Sequence, residues 1–215
     1  MVRKRRLGGA AWHDSAMGGS RSPYRFKRLS LGRPWCEALW LRTGRKLLLR
    51  PIRPDDAERL QIAFLQLTPE EVRFRFFQPI RELSPALAES LSSLDPDQAF
   101  ALVITEFLPP EQARIGAVAR VAIDPDGRHA EFALTVGSEL RRFGLGRYLL
   151  QRLIEWCRKK RLDSIYGRIM SENDGMLHIA RSMDFVVEQD FGSPGVLIAR
   201  RTLPGAREQT LAAQG

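Results

Sequence analysis

RRFGLGRYLLQRLIEW, residues 141–156, joins two arginines and a pair of glycines to the opening turns of an amphipathic helix. The first N–H groups of a helix have no intrahelical acceptor and carry partial positive charge, so they receive anions. Glycine at that point lets a phosphate come close to the main chain. Gly144 and Gly146 flank Leu145 where the helix begins, and Arg141, Arg142 and Arg147 add charge that can be aimed at the same place. A Gly-x-Gly also suits an ordinary loop, so this stretch alone leaves both readings open. Two familiar alternatives fail on inspection. A dinucleotide fingerprint needs a third glycine at position 149, which is Leu, and a P-loop needs a Gly-Lys-Ser/Thr that the chain lacks.

The flanks supply the fold class. Upstream, AFALVITEF (99–107) and ARIGAVARVAI (113–123) read as strands, and DPDG (124–127) is turn chemistry leading into a third strand, AEFALTV (130–136). Downstream come a short strand SIYGRI (164–169), a helix around GMLHIARSM (175–183) and closing strands near FVVEQDF (185–191) and GVLIARRTL (195–203). Strands alternating with two late helices predict an α/β (α+β) mixed sheet with at least one parallel connection. The first half is helical. KLLLRPIRPDDAERLQIAFLQL (46–67) reads as a strand followed by a helix with Asp55 as its cap. TPEEVRFRFF (68–77) and SPALAESLSSL (84–94) each place Thr68 or Ser84 before a proline at the first helical position.

Composition bounds the rest. A chain of 215 residues with 44% hydrophobic content suits one globular domain, and no apolar run reaches the roughly 20 residues of a membrane span. The net charge of +9 invites a nucleic-acid partner, but residues 1–44 carry 10 of the 34 basic residues and only 2 of the 25 acidic ones. The remainder, 24 basic against 23 acidic, is nearly neutral. Contact with nucleic acid is therefore expected only through this basic extension, which lacks periodicity and is read as unstructured. Its alternatives are a transit peptide, an anionic tether, or a protein-docking segment using Trp35 and Trp40. The domain is placed at 45–204, with a frayed tail at 205–215. Cys36 and Cys157 fit no disulfide or metal spacing, so no metal is expected and the cytoplasm is the expected location.

The strand AEFALTV, the loop GSELRRFGLG, the long helix and the later SENDGMLHIARSMDF together resemble the acetyl-CoA-binding core of the GNAT acyltransferases over roughly residues 46–203. That family's motif, Gln/Arg-x-x-Gly-x-Gly/Ala, is met by Arg141, Gly144 and Gly146. The resemblance implies a central mixed, mostly antiparallel sheet flanked by helices. It further implies loop amides around Leu145 that hold the diphosphate of acetyl-CoA, with Arg142 and Arg147 beside them, and cofactor contacts from Leu134, Val136 and Asn173. LRPIRPDDAERLQIAFLQLTPEEVRFRFF, RELSP and AEFALTV further resemble the acetyltransferase domain of bacterial Pat-type protein-lysine acetyltransferases.

A lysine ammonium with a pKa near about 10.4 must lose a proton before it can attack a thioester, and a partly desolvated carboxylate suits that task. The Pat-type resemblance implies that the base is Glu131. Alternation sets Glu131, Ala133 and Thr135 on one face of its strand and Ala130, Phe132, Leu134 and Val136 on the other, which leaves room beside the acid. An edge charge facing water is the competing reading of Glu131. Three positions depart from the family: Ala180 stands where many members have a Tyr acid, Phe143 where Arg or Lys is frequent, and Asp184 where Gly is usual. The expected function is acetyl transfer from acetyl-CoA to a protein lysine. The alternatives are a small-molecule amine acceptor, a sensor that binds acyl-CoA without turnover, and an interaction protein acting through its basic tail.

Overall fold

A computed structural model describes residues 24–204; the expectations for 1–23 and 205–215 lie outside the described residues. Nine strands form one sheet in the order β1-β2-β3-β4-β5-β6-β7-β9-β8. They are β1 (Phe26–Ser30), β2 (Glu37–Leu41), β3 (Lys46–Pro51), β4 (Ala99–Glu106), β5 (Ile115–Ile123), β6 (His129–Val136), β7 (Ser164–Met170), β8 (Val186–Gln189) and β9 (Val196–Thr202). Every neighbouring pair is antiparallel except β6 and β7, the expected parallel connection.

Helices cover both faces. The helices α1 (Ala57–Phe64), α2 (Pro69–Phe76) and α3 (Pro85–Ser92) cover one side, over a small core of Leu60, Phe64, Val72, Leu83, Val103 and Ile115. On the other side α4 (Leu145–Lys159) and α5 (Asp174–Arg181) close the larger core, into which α4 drives Leu145, Leu149, Leu150, Leu153, Ile154 and Cys157. That spacing is the 3.6-residue stripe legible in the sequence.

The capping grammar is mostly as expected. Thr68 Oγ1 accepts from the Glu71 amide at 3.2 Å while Glu71 returns the bond to the Thr68 amide at 2.8 Å, and Ser84 Oγ accepts from the Leu87 amide at 3.3 Å. The acid at α1 differs by one position. Asp56, not Asp55, accepts from the Arg53 amide at 2.9 Å, because the fully buried Asp56 carboxylate is also gripped by Arg50 at 2.6 and 2.7 Å and by Arg59 at 2.9 Å. Burial pushes its pKa up, but the bonds and charge of Arg50 outweigh that and hold it below the usual carboxylate value.

The unstructured reading of 1–44 does not hold for 24–44, which contribute β1 and β2. Ala38, Leu39 and Leu41 are buried, and β2 pairs with β3 across the turn at Gly44, whose φ is +87°. Trp35 is not held out for a partner. Its ring lies 5.2 Å from that of Phe100, with Arg152 and Lys159 each 4.6 Å from its centroid.

Replacing Asp56 strands the Arg50 guanidinium in a dry site. Asp56→Asn is expected to lower unfolding free energy by about 3–5 kcal/mol at pH 7, measured by urea denaturation. Because the folded pKa is depressed, the stabilisation is present above the unfolded value near about 3.9 and is lost below it, so the deficit narrows as pH falls through the folded pKa.

Candidate active site

Strands β6 and β7 pair only at His129–Ser164, Ala130–Ile165 and Glu131–Tyr166. Beyond those pairs they part, although β6 continues to Val136 and β7 to Met170. The ring of Phe132 leans across the opening onto Gly167: a Cβ built there would lie 2.5 Å from Phe132 Cζ. Edge contact with Phe185, at 5.6 Å between centroids, fixes the ring from behind. A cleft of about 220 Å³ opens at the divergence, lined among others by Phe74, Phe77, Glu131, Leu134, Asn173 and Met176.

Glu131 is the one acid lining that cleft among the described residues. Burial raises its carboxyl pKa above the ordinary glutamate value; Arg168 pulls the other way, Asp124 adds to the rise, and Arg75 opposes it. Arg168 is itself committed to Asp190 at 2.9 Å and Ser193 at 2.7 Å. The competing reading of Glu131 as an edge charge facing water does not fit this half-buried position.

The glycine loop lies on the α4 side. Gly144 caps α4 with φ +82°, and Arg142 takes φ +66° beside it. Among the described residues, the amides of Arg142 to Arg147 make no hydrogen bond, to a carboxylate or to any other acceptor. Glu139, in the preceding turn, is drawn off by Arg45 at 3.3 Å. The arginines are less convergent than expected. Arg141 pairs with Glu71, and Arg147 donates to the Ser182 carbonyl at 2.9 Å and to its hydroxyl, which leaves Arg142 as the guanidinium of the three with neither hydrogen bond nor ion pair among the described residues. Gly146 answers to packing, since a Cβ there would sit 3.1 Å from Ile179, 3.6 Å from Leu134 and 3.7 Å from Val136. Leu134 and Val136 thus run from the cleft to the loop.

Asn173 caps α5, its Oδ1 accepting from the Met176 amide at 3.1 Å, and also lines the cleft. The departing positions are accommodated. Ala180 is fully buried, and Asp184 keeps the left-handed backbone of a glycine at φ +60°. Phe143 packs on the main core, and its carbonyl accepts from the Arg25 amide at 3.1 Å. Among the described residues no tyrosine lines the cleft; Tyr166, paired with Glu131, donates to Asp124 at 3.2 Å. Burial raises the thiol pKa of Cys157 to about 12, so it is no nucleophile at neutral pH. Among the described residues no cluster of His, Cys, Asp and Glu could hold a metal, and no helix is long and apolar enough to cross a membrane. Sequence reasoning missed Arg75, Arg120 and Arg168, although the Arg–Phe alternation at 73–77 was visible.

Residues 46–186 match the family model of the acetyltransferase (GNAT) domain. The chain belongs to the GNAT acetyltransferases. It is 30% identical over 159 residues to acetyltransferase PA5475 of Pseudomonas aeruginosa, covering 74% of this chain and 84% of that one. It is also 30% identical over 160 residues to acetyltransferase Pat of Mycolicibacterium smegmatis, covering 71% of this chain and 45% of that longer protein. The GNAT domain of S. lividans PAT shares the fold, with a TM-score of 0.69 at 24% identity over 79% of this chain and 97% of that one. Members of this family draw the acyl group from an acyl-CoA, and the cleft and the glycine loop lie where this GNAT sheet opens.

Because the Phe132 ring is 4% exposed and braced by Phe185, it has little freedom to yield. Gly167→Ala is expected to lower unfolding free energy by about 1–3 kcal/mol, as overpacking does, measured by thermal or urea unfolding. Gly167→Ala should also weaken acyl-CoA binding, because the displaced Phe132 ring lines the cleft.

Proposed function

We propose that this GNAT domain transfers the acetyl group of acetyl-CoA directly to a primary amine, with a protein lysine as acceptor and Glu131 as general base. The observation that carries the reading is a half-buried carboxylate of raised pKa at the parting of β6 and β7, with unbonded helix-start amides on the α4 side of the same opening. The amides of Gly144, Leu145, Gly146 and Arg147 would receive the diphosphate, with Arg142 screening its charge and Arg141 closing the side of the loop. Leu134, Val136 and Asn173 would guide the thioester arm toward Glu131.

The ammonium proton passes to the Glu131 carboxylate, directly or through one water. The freed nitrogen lone pair then attacks the thioester carbonyl carbon; a C–N bond forms, the C–S bond breaks, and the electron pair leaves on sulfur. The thiolate is a good leaving group and collects a proton from solvent, so a tyrosine acid is not required. A carboxylate whose pKa is raised by burial is, once ionised, a stronger base than an exposed glutamate. The acceptor lysine follows from the likeness to Pat-type enzymes, and the cytoplasm is the compartment that acceptor implies.

Thiol release from acetyl-CoA with a lysine peptide tests the assignment. Glu131→Gln is expected to lower kcat by about 10²–10⁴-fold while leaving CoA affinity unchanged. The wild-type rate should fall on the acid side with an apparent pKa above that of free glutamate, and this limb should vanish in the variant. Equal rates for the two proteins would remove Glu131 from the role.

A further inference from the structure

Two guanidinium groups in the cleft have no work in the scheme above. Arg120 on β5 lies opposite Ala133, two residues along from the Ala122–Glu131 pair, so it shares the face of Glu131. Its Nη1 is closed to solvent and makes no hydrogen bond. Arg75, from the last turn of α2, lines the same cleft; its guanidinium carbon lies 5.0 Å from the centroid of the Phe76 ring, and no hydrogen bond or ion pair engages it among the described residues. Arg75 feels the charge of Glu131, but no ion pair joins them among the described residues. Both arginines also line a second, mostly apolar cavity of about 170 Å³ between α1, α3 and the sheet, so they stand where the two spaces meet.

A desolvated guanidinium without an acceptor forfeits strong hydrogen bonds, and two like charges side by side repel, so folding gains nothing from this arrangement. The strain shows at Arg75: burial and the neighbouring Arg120 bring its pKa down to about 10, opposed by Glu131, and it stays charged at neutral pH. A planar carboxylate accepting from both forks would relieve both defects.

We propose that Arg75 and Arg120 form an anion subsite that receives a carboxylate carried by one of the two substrates, either on the acceptor amine or, where a dicarboxylic acyl-CoA takes the place of acetyl-CoA, at the far end of the acyl chain. The inference rests on the acyl-transfer reading for the identity of those substrates. The subsite itself rests on the unpaired guanidiniums. Glu131 shares the cleft with both cations and feels the charge of Arg75, and the substrate carboxylate keeps that guanidinium from holding the base in an ion pair.

Isothermal titration of the full chain with succinyl-CoA and with butyryl-CoA, equal in carbon count and differing by one carboxylate, tests the acyl source. Thermal shift with 4-aminobutyrate and with butylamine tests the acceptor source. At least about tenfold tighter binding of the carboxylate-bearing member in either arm, abolished in both Arg75→Met and Arg120→Met, is the expected result. The arm that discriminates names the source. Arg120→Met should melt no lower than wild type, because the group it removes has no partner; if either Met variant unfolds, the Gln variant takes its place. Failure of both CoA esters to bind would sink the acyl-transfer reading and leave the amine arm to decide the subsite. Indifference to the carboxylate in both arms, or a preference that survives both substitutions, overturns the subsite.

Discussion

Past Glu131 and Tyr166 the two parallel strands no longer pair, and there the Phe132 ring of one packs against the bare α-carbon of Gly167 on the other. The 2.5 Å that a Cβ at Gly167 would leave to Phe132 measures how completely that ring fills the gap. Any side chain at 167 would have to displace a ring already held by Phe185. Everything functional is arranged around that wedge. Glu131 sits at the last paired position, Leu134 and Asn173 line the cleft beyond it, and Gly146 at the start of α4 packs near Leu134.

Helix-start amides attract an anion usefully only if the helix itself does not move, and the N-terminal strands contribute to that. Tyr148, one turn into α4, donates to the buried Glu37 of β2 and receives a bond from Arg28 of β1 at 3.1 Å. Arg152, the next turn along, meets the same Glu37 at 3.0 Å. Burial, the hydrogen bond and the charge of Glu37 raise the Tyr148 pKa, so the phenol remains a proton donor to the carboxylate. Tyr24 stacks edge-on against Tyr148 at 5.5 Å, and the Arg25 amide ties to the loop at Phe143. A segment read from composition as a loose tail is thus part of the frame around the glycine loop.

What was legible in the sequence was local or periodic. Thr68 and Ser84 cap their helices through contacts three residues long, α4 shows its stripe, and the β4–β6 meander is punctuated by the turn at Asp124–Gly127. The glycine loop and Glu131 stood out through the family resemblance; Glu131 lines the cleft, and the loop reaches it through the packing of Gly146 near Leu134. What stayed hidden depends on pairings across the chain. β1 is an edge strand with mostly exposed side chains, so it shows no alternation, and its arginines and the nearby glycines imitate disorder. Asp55 and Asp56 are equivalent in pattern, and only Arg50 from the preceding strand selects the second. Nothing in the separate segments RFRFF and ARV announces that Arg75 and Arg120 meet beside Glu131. Conversely, Arg141 and Arg147 read as phosphate clamps until Glu71 and Ser182 claimed them.

The account stands on a thioester reaching the parting of β6 and β7 while its diphosphate is held by the first turn of α4. Backbone amide NMR during titration with CoA measures this directly. The account predicts the largest shifts at the amides of Gly144, Leu145, Gly146 and Arg147, followed by Leu134 and Asn173, with Phe191 in the β8–β9 turn unmoved. Shifts confined to other surfaces, with the α4 start silent at saturating CoA, would contradict it.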